Sequence, residues 1–121
     1  MILIDSNIIV YSYLPQYTYL RNLFIGESVF VSEISRVEVL GYHKITAEEE
    51  TYFKAIFELI PTIAPSQEIF NEAIEIRKKY NLSLGDSIIA ATAFAHNLSI
   101  CTRNLGDFER VVEIDCVNPI C

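Results

Sequence analysis

The stretch that most narrows the folds open to this chain runs from Leu82 to Asn104, reading NLSLGDSIIAATAFAHNLSICTRN from Asn81 onward. It predicts a capped helix that ends at His96-Asn97 and feeds directly into a short buried strand, Ser99 to Thr102. Ser83 is a good N-cap, because its side-chain oxygen can accept an otherwise orphaned backbone N–H, and Asp86 falls in the first turn. The body from Ile88 to Ala95 carries almost no charge, and a helix apolar on nearly every side is buried inside a domain. Its alanines at 90, 91, 93 and 95 let neighbouring elements approach closely. One carboxylate, Asp86, therefore stands at the mouth of an apolar central helix.

The rest of the chain alternates strands with helices. Met1 to Ile4 is a continuous apolar run of the kind that fills a central parallel strand. Asp5-Ser6-Asn7 is a helix-start signal, followed by Ile8 to Leu14 and a stop at Pro15; a second short helix is predicted from about Thr18 to Ile25. Ser28 to Val31 is the next strand, and Ser32 caps a helix from Glu33 to about Tyr42. A helix with acids in its first turn, Glu48-Glu49-Glu50, runs to about Ile60, which suits the helix dipole. A very short strand at Thr62-Ile63, a helix from Ser66 through Tyr80, and a closing strand from Val112 to Val117 complete the order. Such alternation implies an α/β fold with a parallel sheet covered on both faces.

That order makes a geometric prediction. In a βα unit the end of the strand and the start of the next helix share one edge of the sheet, where open α/β sheets bind ligands. Asp5 ends the first strand, Glu38 lies in the first two turns after the second, and Asp86 opens the central helix. Asn104 and Asp107 follow the strand that ends at Thr102. Each has a plainer reading: Asp5 as a helix cap, Asp86 as a capping-box partner of Ser83, Asp107 as a loop acid, Asn104 as a turn residue. Glu38 shares a helical stripe with Ile34, Val37 and Gly41, so it is expected to share a face with apolar neighbours. Acids from distant parts of the chain repel one another at one crevice unless a cation sits among them, and hard oxygen donors suit Mg²⁺ or Mn²⁺.

Composition limits the partners. The 121 residues, taken as one domain over 1–121, carry a net charge of −7, which argues against non-specific binding to a polyanion unless a metal supplies positive charge locally. With 51% hydrophobic residues, disorder is excluded and an apolar surface patch for a partner is expected. No apolar run reaches bilayer-spanning length, and Cys101, Cys116 and Cys121 form no CxxC pair, so a soluble protein in a reducing cytoplasm is expected. Cys101, in an apolar strand, reads as core.

ILIDSNIIVY, VSEISRVEVLGY and LSLGDSIIAATAFAHNLSICTRNLGDF together resemble the PIN-domain family, and within it the VapC-type toxin ribonucleases of toxin–antitoxin pairs. The resemblance spans nearly the whole chain in order, and its most specific part is an Asp opening an IIAATA helix, then a strand, then TRN and Asp-Phe. It implies a three-layer α/β/α sandwich with a short, mostly parallel sheet. By position it makes Asp5, Glu38 and Asp86 the acidic core of a divalent-metal site, with Asp107 following the neutral Asn104 as a possible fourth acid. Asn7 and Thr102 become supporting polar residues, and Arg103, which adjoins the site by sequence, has two readings, a phosphate contact or a plain surface residue. The implied reaction is hydrolysis of RNA by a metal-activated water, leaving a 5′-phosphate and a 3′-hydroxyl.

The resemblance also implies a homodimer and a small cognate antitoxin whose C-terminal tail covers the active site. The Tyr11, Tyr13 and Tyr17 cluster has two readings: antitoxin interface, or packing of the first helical hairpin. His43 and His96 fall near helix C-termini, where the dipole accounts for them. A phosphatase using Asp5 as nucleophile is disfavoured because the position two residues on is Asn7, and a receiver domain lacks its adjacent acids. The alternative is a catalytically weak or inactive PIN fold that only binds RNA or protein.

Overall fold

In the computed structural model, which describes residues 1–120, the N-terminal apolar run forms strand β1 (Ile2–Ile4) at the centre of a five-stranded sheet. The other strands are β2 (Val29–Ser32), β3 (Thr62–Ile63), β4 (Ser99–Cys101) and β5 (Cys116–Val117), in spatial order β3-β2-β1-β4-β5. Every pairing is parallel. The chain builds outward from β1 to β3 on one side and then returns to build β4 and β5 on the other. The direction of winding therefore switches between β1 and β4, which leaves a crevice beyond their carboxyl ends.

Period-two alternation sends successive strand residues to opposite layers. Leu3 and Ile100 enter one core with Ile69, Ala73 and Ile76 of helix α5 (Gln67–Tyr80) and Ile88 to Ala93 of helix α6 (Leu84–His96). Ile4, Val31 and Cys101 enter the other, with Ile8 and Ile9 of α1 (Ser6–Ser12), Phe24 of α2 (Arg21–Phe24) and Phe53, Ile56 and Phe57 of α4 (Ala47–Leu59). Helix α3 (Glu33–Leu40) supplies Val39 to this second core and packs Ile34 against the first. The result is the three-layer sandwich expected from the sequence.

Local chemistry sets the ends of the elements. Ser32, Thr46, Ser66 and Ser83 each accept a backbone N–H as N-caps, and Thr46 with Glu49 completes a capping box. Asn81 and Asn97 stop α5 and α6 in the left-handed conformation that Asn tolerates better than most residues. Among the described residues, Cys101 and Cys116 are free thiols; Cys121 lies outside them. Burial, and then the nearby Asp5 charge, push the Cys101 thiol up to about 11, which makes it an inert core residue as expected.

Four local expectations are corrected. Residues 15–20 form a 3-10 segment rather than an α-helix from Thr18: Pro15 sits in its first turn and Tyr17 leaves helical geometry, so the α-helix begins only at Arg21. The closing strand shrinks from 112–117 to its last two residues, because Val111 and Phe108 spend the preceding apolar residues on packing helix α7 (Leu105–Phe108) into the first core. Asp107, for which a loop is the plainer expectation, lies within that short helix. Finally, α6 is not apolar-buried all round: Ser87 to Ala93 are buried, but Leu84 and Phe94 are exposed.

Candidate metal centre at the carboxyl edge of the sheet

Asp5 directly follows β1, and its N–H donates to the Cys101 carbonyl at 2.9 Å, which carries the β1–β4 ladder one residue further and brings Asp5 beside Thr102. The carboxylate has two engagements. Its Oδ1 caps α1 by accepting the Ser6 N–H at 2.9 Å, so the plain capping reading is true as well. Its Oδ2 accepts the Thr102 hydroxyl at 2.8 Å and the Asn7 amide at 3.3 Å. Thr102 in turn accepts the Asn104 N–H at 2.9 Å, and the Asn7 carbonyl oxygen accepts the Arg103 N–H at 3.2 Å. The Thr-Arg-Asn turn after β4 is thereby clamped onto the Asp5 carboxylate through buried Thr102 and half-buried Asn7.

Burial raises the Asp5 pKa, the Thr102 and Ser6 donors partly offset it, and Asp86 raises it further. Glu38 is raised by desolvation first, then by the charges of Asp5 and Asp86, with the Ser6 hydroxyl working the other way. Asp86 is raised by desolvation, eased by Ser83, and raised again by Asp107. Its own backbone N–H donates to the Ser83 hydroxyl oxygen at 3.2 Å, which fixes it in the first turn of α6. Glu38 abuts that same turn: a Cβ placed on Gly85 would lie 3.4 Å from Glu38 Oε2. Charge thus connects Asp107 to Asp86, Asp86 to Asp5, and both Asp5 and Asp86 to Glu38 across one crevice, fed by β1, α3, α6 and α7.

Two details depart from the sequence reading. Glu38 is exposed and so is Val37 at 63%, so only Ile34 of its stripe packs against a core; the apolar neighbours of Glu38 are instead those of the groove it lines, Val10, Val39 and Phe53 among them. Of the two candidates for a fourth acid position, Asp107 is coupled by charge to Asp86, whereas exposed Asn104 contributes its backbone N–H to Thr102. Ser6 and Gly85 were not singled out from the sequence. Ser6 only appears once α1 turns its first N–H toward Asp5, and Gly85 only once α3 and α6 are set side by side.

The tyrosines divide. Tyr13 stands edge-on to Tyr52 at 5.3 Å and against Phe53 at 5.8 Å, packing α1 onto α4. Tyr17 is edge-on to Tyr11 at 5.2 Å. Tyr11 lines a groove of about 360 Å³ together with Val10, Glu38, Val39, Tyr42 and Phe53, and this groove begins at Ser6 and Asn7 beside the acids.

The donor set suits a hard divalent cation in charge and chemistry: every candidate ligand is a carboxylate oxygen, three have raised pKa values, and among the described residues no Lys, Arg or His nitrogen lies within 4.0 Å of any of the four. Also among the described residues, no three His, Cys, Asp or Glu side chains close round one point.

Known proteins resemble this chain in sequence and in fold. It is 33% identical over 66 residues to a ribonuclease VapC of Rickettsia bellii, covering 53% of this chain and 49% of that one. It is 29% identical over 94 residues to ribonuclease VapC1 of Rickettsia felis, covering 76% of this chain and 65% of the relative. The match therefore spans about half to two thirds of these relatives' length. A toxin–antitoxin complex from Klebsiella pneumoniae superimposes with a TM-score of 0.83 at 27% identity, covering 99% of this chain and 98% of that chain. The PIN domain model matches residues 2–114, and the chain belongs to the PIN-domain family.

Proposed function

We propose that the chain is a divalent-metal-dependent endoribonuclease of the VapC type, the toxin of a toxin–antitoxin pair, with Asp5, Glu38 and Asp86 holding Mg²⁺ or Mn²⁺ and Asp107 as the fourth acid. The observation that carries this reading is the set of three carboxylates with raised pKa values at the β1/β4 crevice, none with a basic side chain within 4.0 Å. Native proteins rarely gather uncompensated acids in a crevice without a function for them. The likeness to VapC ribonucleases supplies the reaction class, and residues 1–121 act as one catalytic unit in this reading.

When bound, a divalent ion supplies an acidified water and polarises a phosphate oxygen. The chain's own residues do the rest. Thr102 and Asn7 hold the Asp5 carboxylate in one orientation, so that no reorganisation is needed at the moment of reaction. Glu38, the least buried of the three, completes the proposed ligand set from the first turns of α3. The groove beside Tyr11 is suited to the apolar side chains of an antitoxin tail, and the exposed strip of Phe70, Ile74 and Leu84 to a second copy of the chain. Among the described residues no helix is long and apolar enough to cross a membrane, and the free thiols suit a cytoplasmic setting.

A second reading, a PIN fold that binds without cutting, is favoured by one observation: the acids do not close round a point. Cleavage of a panel of structured and single-stranded RNAs by antitoxin-free protein, in Mg²⁺, Mn²⁺ or EDTA, separates the two. Metal-dependent cuts that vanish in Asp5→Asn and Asp86→Asn support the nuclease. Mn²⁺ binding with no cut in any RNA supports the binding module.

A further inference from the structure

RNA brings more negative charge to a chain that already carries −7. Most of the basic side chains with a defined partner are spent elsewhere. Arg36, Lys54, Lys78 and Lys79 are each paired with a carboxylate, and Arg21 donates to the Ser12 carbonyl and lies over the Tyr52 ring. Arg103 is placed differently. Its backbone N–H is clamped to Asn7, whose amide donates in turn to the Asp5 carboxylate, so its main chain is fixed two hydrogen bonds from the acids. Its guanidinium lies over the Tyr11 ring, 4.8 Å from the centroid, and also hydrogen-bonds the Tyr11 hydroxyl.

The partner's neutrality matters. A carboxylate would cancel the guanidinium charge, whereas a phenol ring and hydroxyl hold the group in place and leave its charge intact. Tyr11 is itself held edge-on by Tyr17, so the ring is a fixed support. We propose that Arg103 is the phosphate-binding cation of this site and that Tyr11, acting through it, is the positioning residue that sets its guanidinium beside the acid crevice. The inference rests on the nuclease reading and adds to it a residue for substrate charge that the metal ligands do not provide. Arg is suited to the role because its planar fork can donate twice to one phosphate.

The test measures KM, kcat and Mn²⁺ affinity for the full chain on a mixed-sequence single-stranded RNA across a salt series. Arg103→Gln is expected to raise KM about tenfold with kcat little changed, and to make the dependence of log KM on log salt shallower by about 0.7, the loss of one phosphate contact to a single strand. Tyr11→Leu is expected to raise KM to the same extent, and adding Arg103→Gln to it to cost nothing more, because the two act as one unit. Tyr11→Phe keeps the ring and retains most of the affinity. Arg103→Lys, with charge but no planar stack, falls between. Mn²⁺ affinity stays undiminished throughout, which a general loss of structure would not allow. A wild-type chain that cuts RNA while Arg103→Gln leaves KM and salt slope unchanged overturns this inference alone. A wild-type chain that neither binds nor cuts RNA in any metal overturns the nuclease reading and this inference with it.

Discussion

The molecule treats its acids in two ways. On the helix surfaces, Glu33, Glu50 and Glu75 each pair with a Lys or Arg three or four residues away, and Glu113 accepts from both Lys79 and the Tyr80 hydroxyl. Those four are ordinary exposed pairs, screened by solvent, that contribute little. At the carboxyl edge of β1 and β4, Asp5, Glu38 and Asp86 have no such partner; burial first raises their pKa values, and acid charge adds to it, Asp86 on Asp5, both on Glu38, and Asp107 on Asp86. Unpaired acids on the surface, such as Glu58 and Glu68, are solvated, whereas these three are partly desolvated and share one crevice. The contrast supports the proposed cation site at this edge, whose acids would destabilise the metal-free protein to some degree.

The largest break in that contrast is Asp86→Asn. It is expected to lower metal-dependent cleavage by a factor on the order of 100 or more, measured as single-turnover rate, since even the outer partners of metal ligands are worth roughly 10–100-fold. Thr102→Val comes next. It removes the 2.8 Å donor to Asp5 and the acceptor of the Asn104 N–H, and is expected to cost about tenfold in Mn²⁺ affinity by titration, with the fold intact by circular dichroism.

The pH dependence sharpens the contrast. The three acids are raised from reference values of 3.8, 4.5 and 3.8, so in the intermediate range the folded state binds more protons than the unfolded one. Their contribution therefore favours folding below the unfolded values and is lost as pH rises through the folded ones. The thermal midpoint of metal-free protein is expected to fall between about pH 4 and neutrality, and Mn²⁺ to restore it at neutral pH. Glu38→Gln should flatten that fall and stabilise the metal-free protein at pH 7 by roughly 0.5 kcal/mol, a small figure because Glu38 is exposed. Smallest of all is Lys54→Ala. Breaking its 3.0 Å pair with Glu50 should change stability by no more than about 0.5 kcal/mol in chemical denaturation, because both side chains are solvated.

What was legible in the sequence follows the same division. The strands and long helices were readable because burial leaves a periodic record: Leu3 and Ile4 alternate between two cores, and α5 and α6 announce their caps at Ser66 and Ser83. Asp5 and Asp86 were readable because strand ends and helix starts share an edge. Glu38 was readable from its stripe with Ile34, but its apolar neighbours in the structure are groove residues such as Val39 and Phe53, while Val37 faces solvent. The 3-10 segment after Pro15 and the helix α7 escaped because short elements are decided by tertiary packing, as where Phe108 and Val111 anchor α7 in the first core. The Arg103–Tyr11 stack had no sequence signal at all, as 92 residues separate the pair.

The central claim is that the edge acids form one divalent-cation site, and a calorimetric titration of metal-free protein with Mn²⁺ at neutral pH tests it most directly. Saturable binding that weakens in Asp5→Asn, Glu38→Gln and Asp86→Asn, but not in Glu75→Gln on the surface of α5, is the predicted result. Binding of equal strength in all four variants, or none in the wild type, would contradict it.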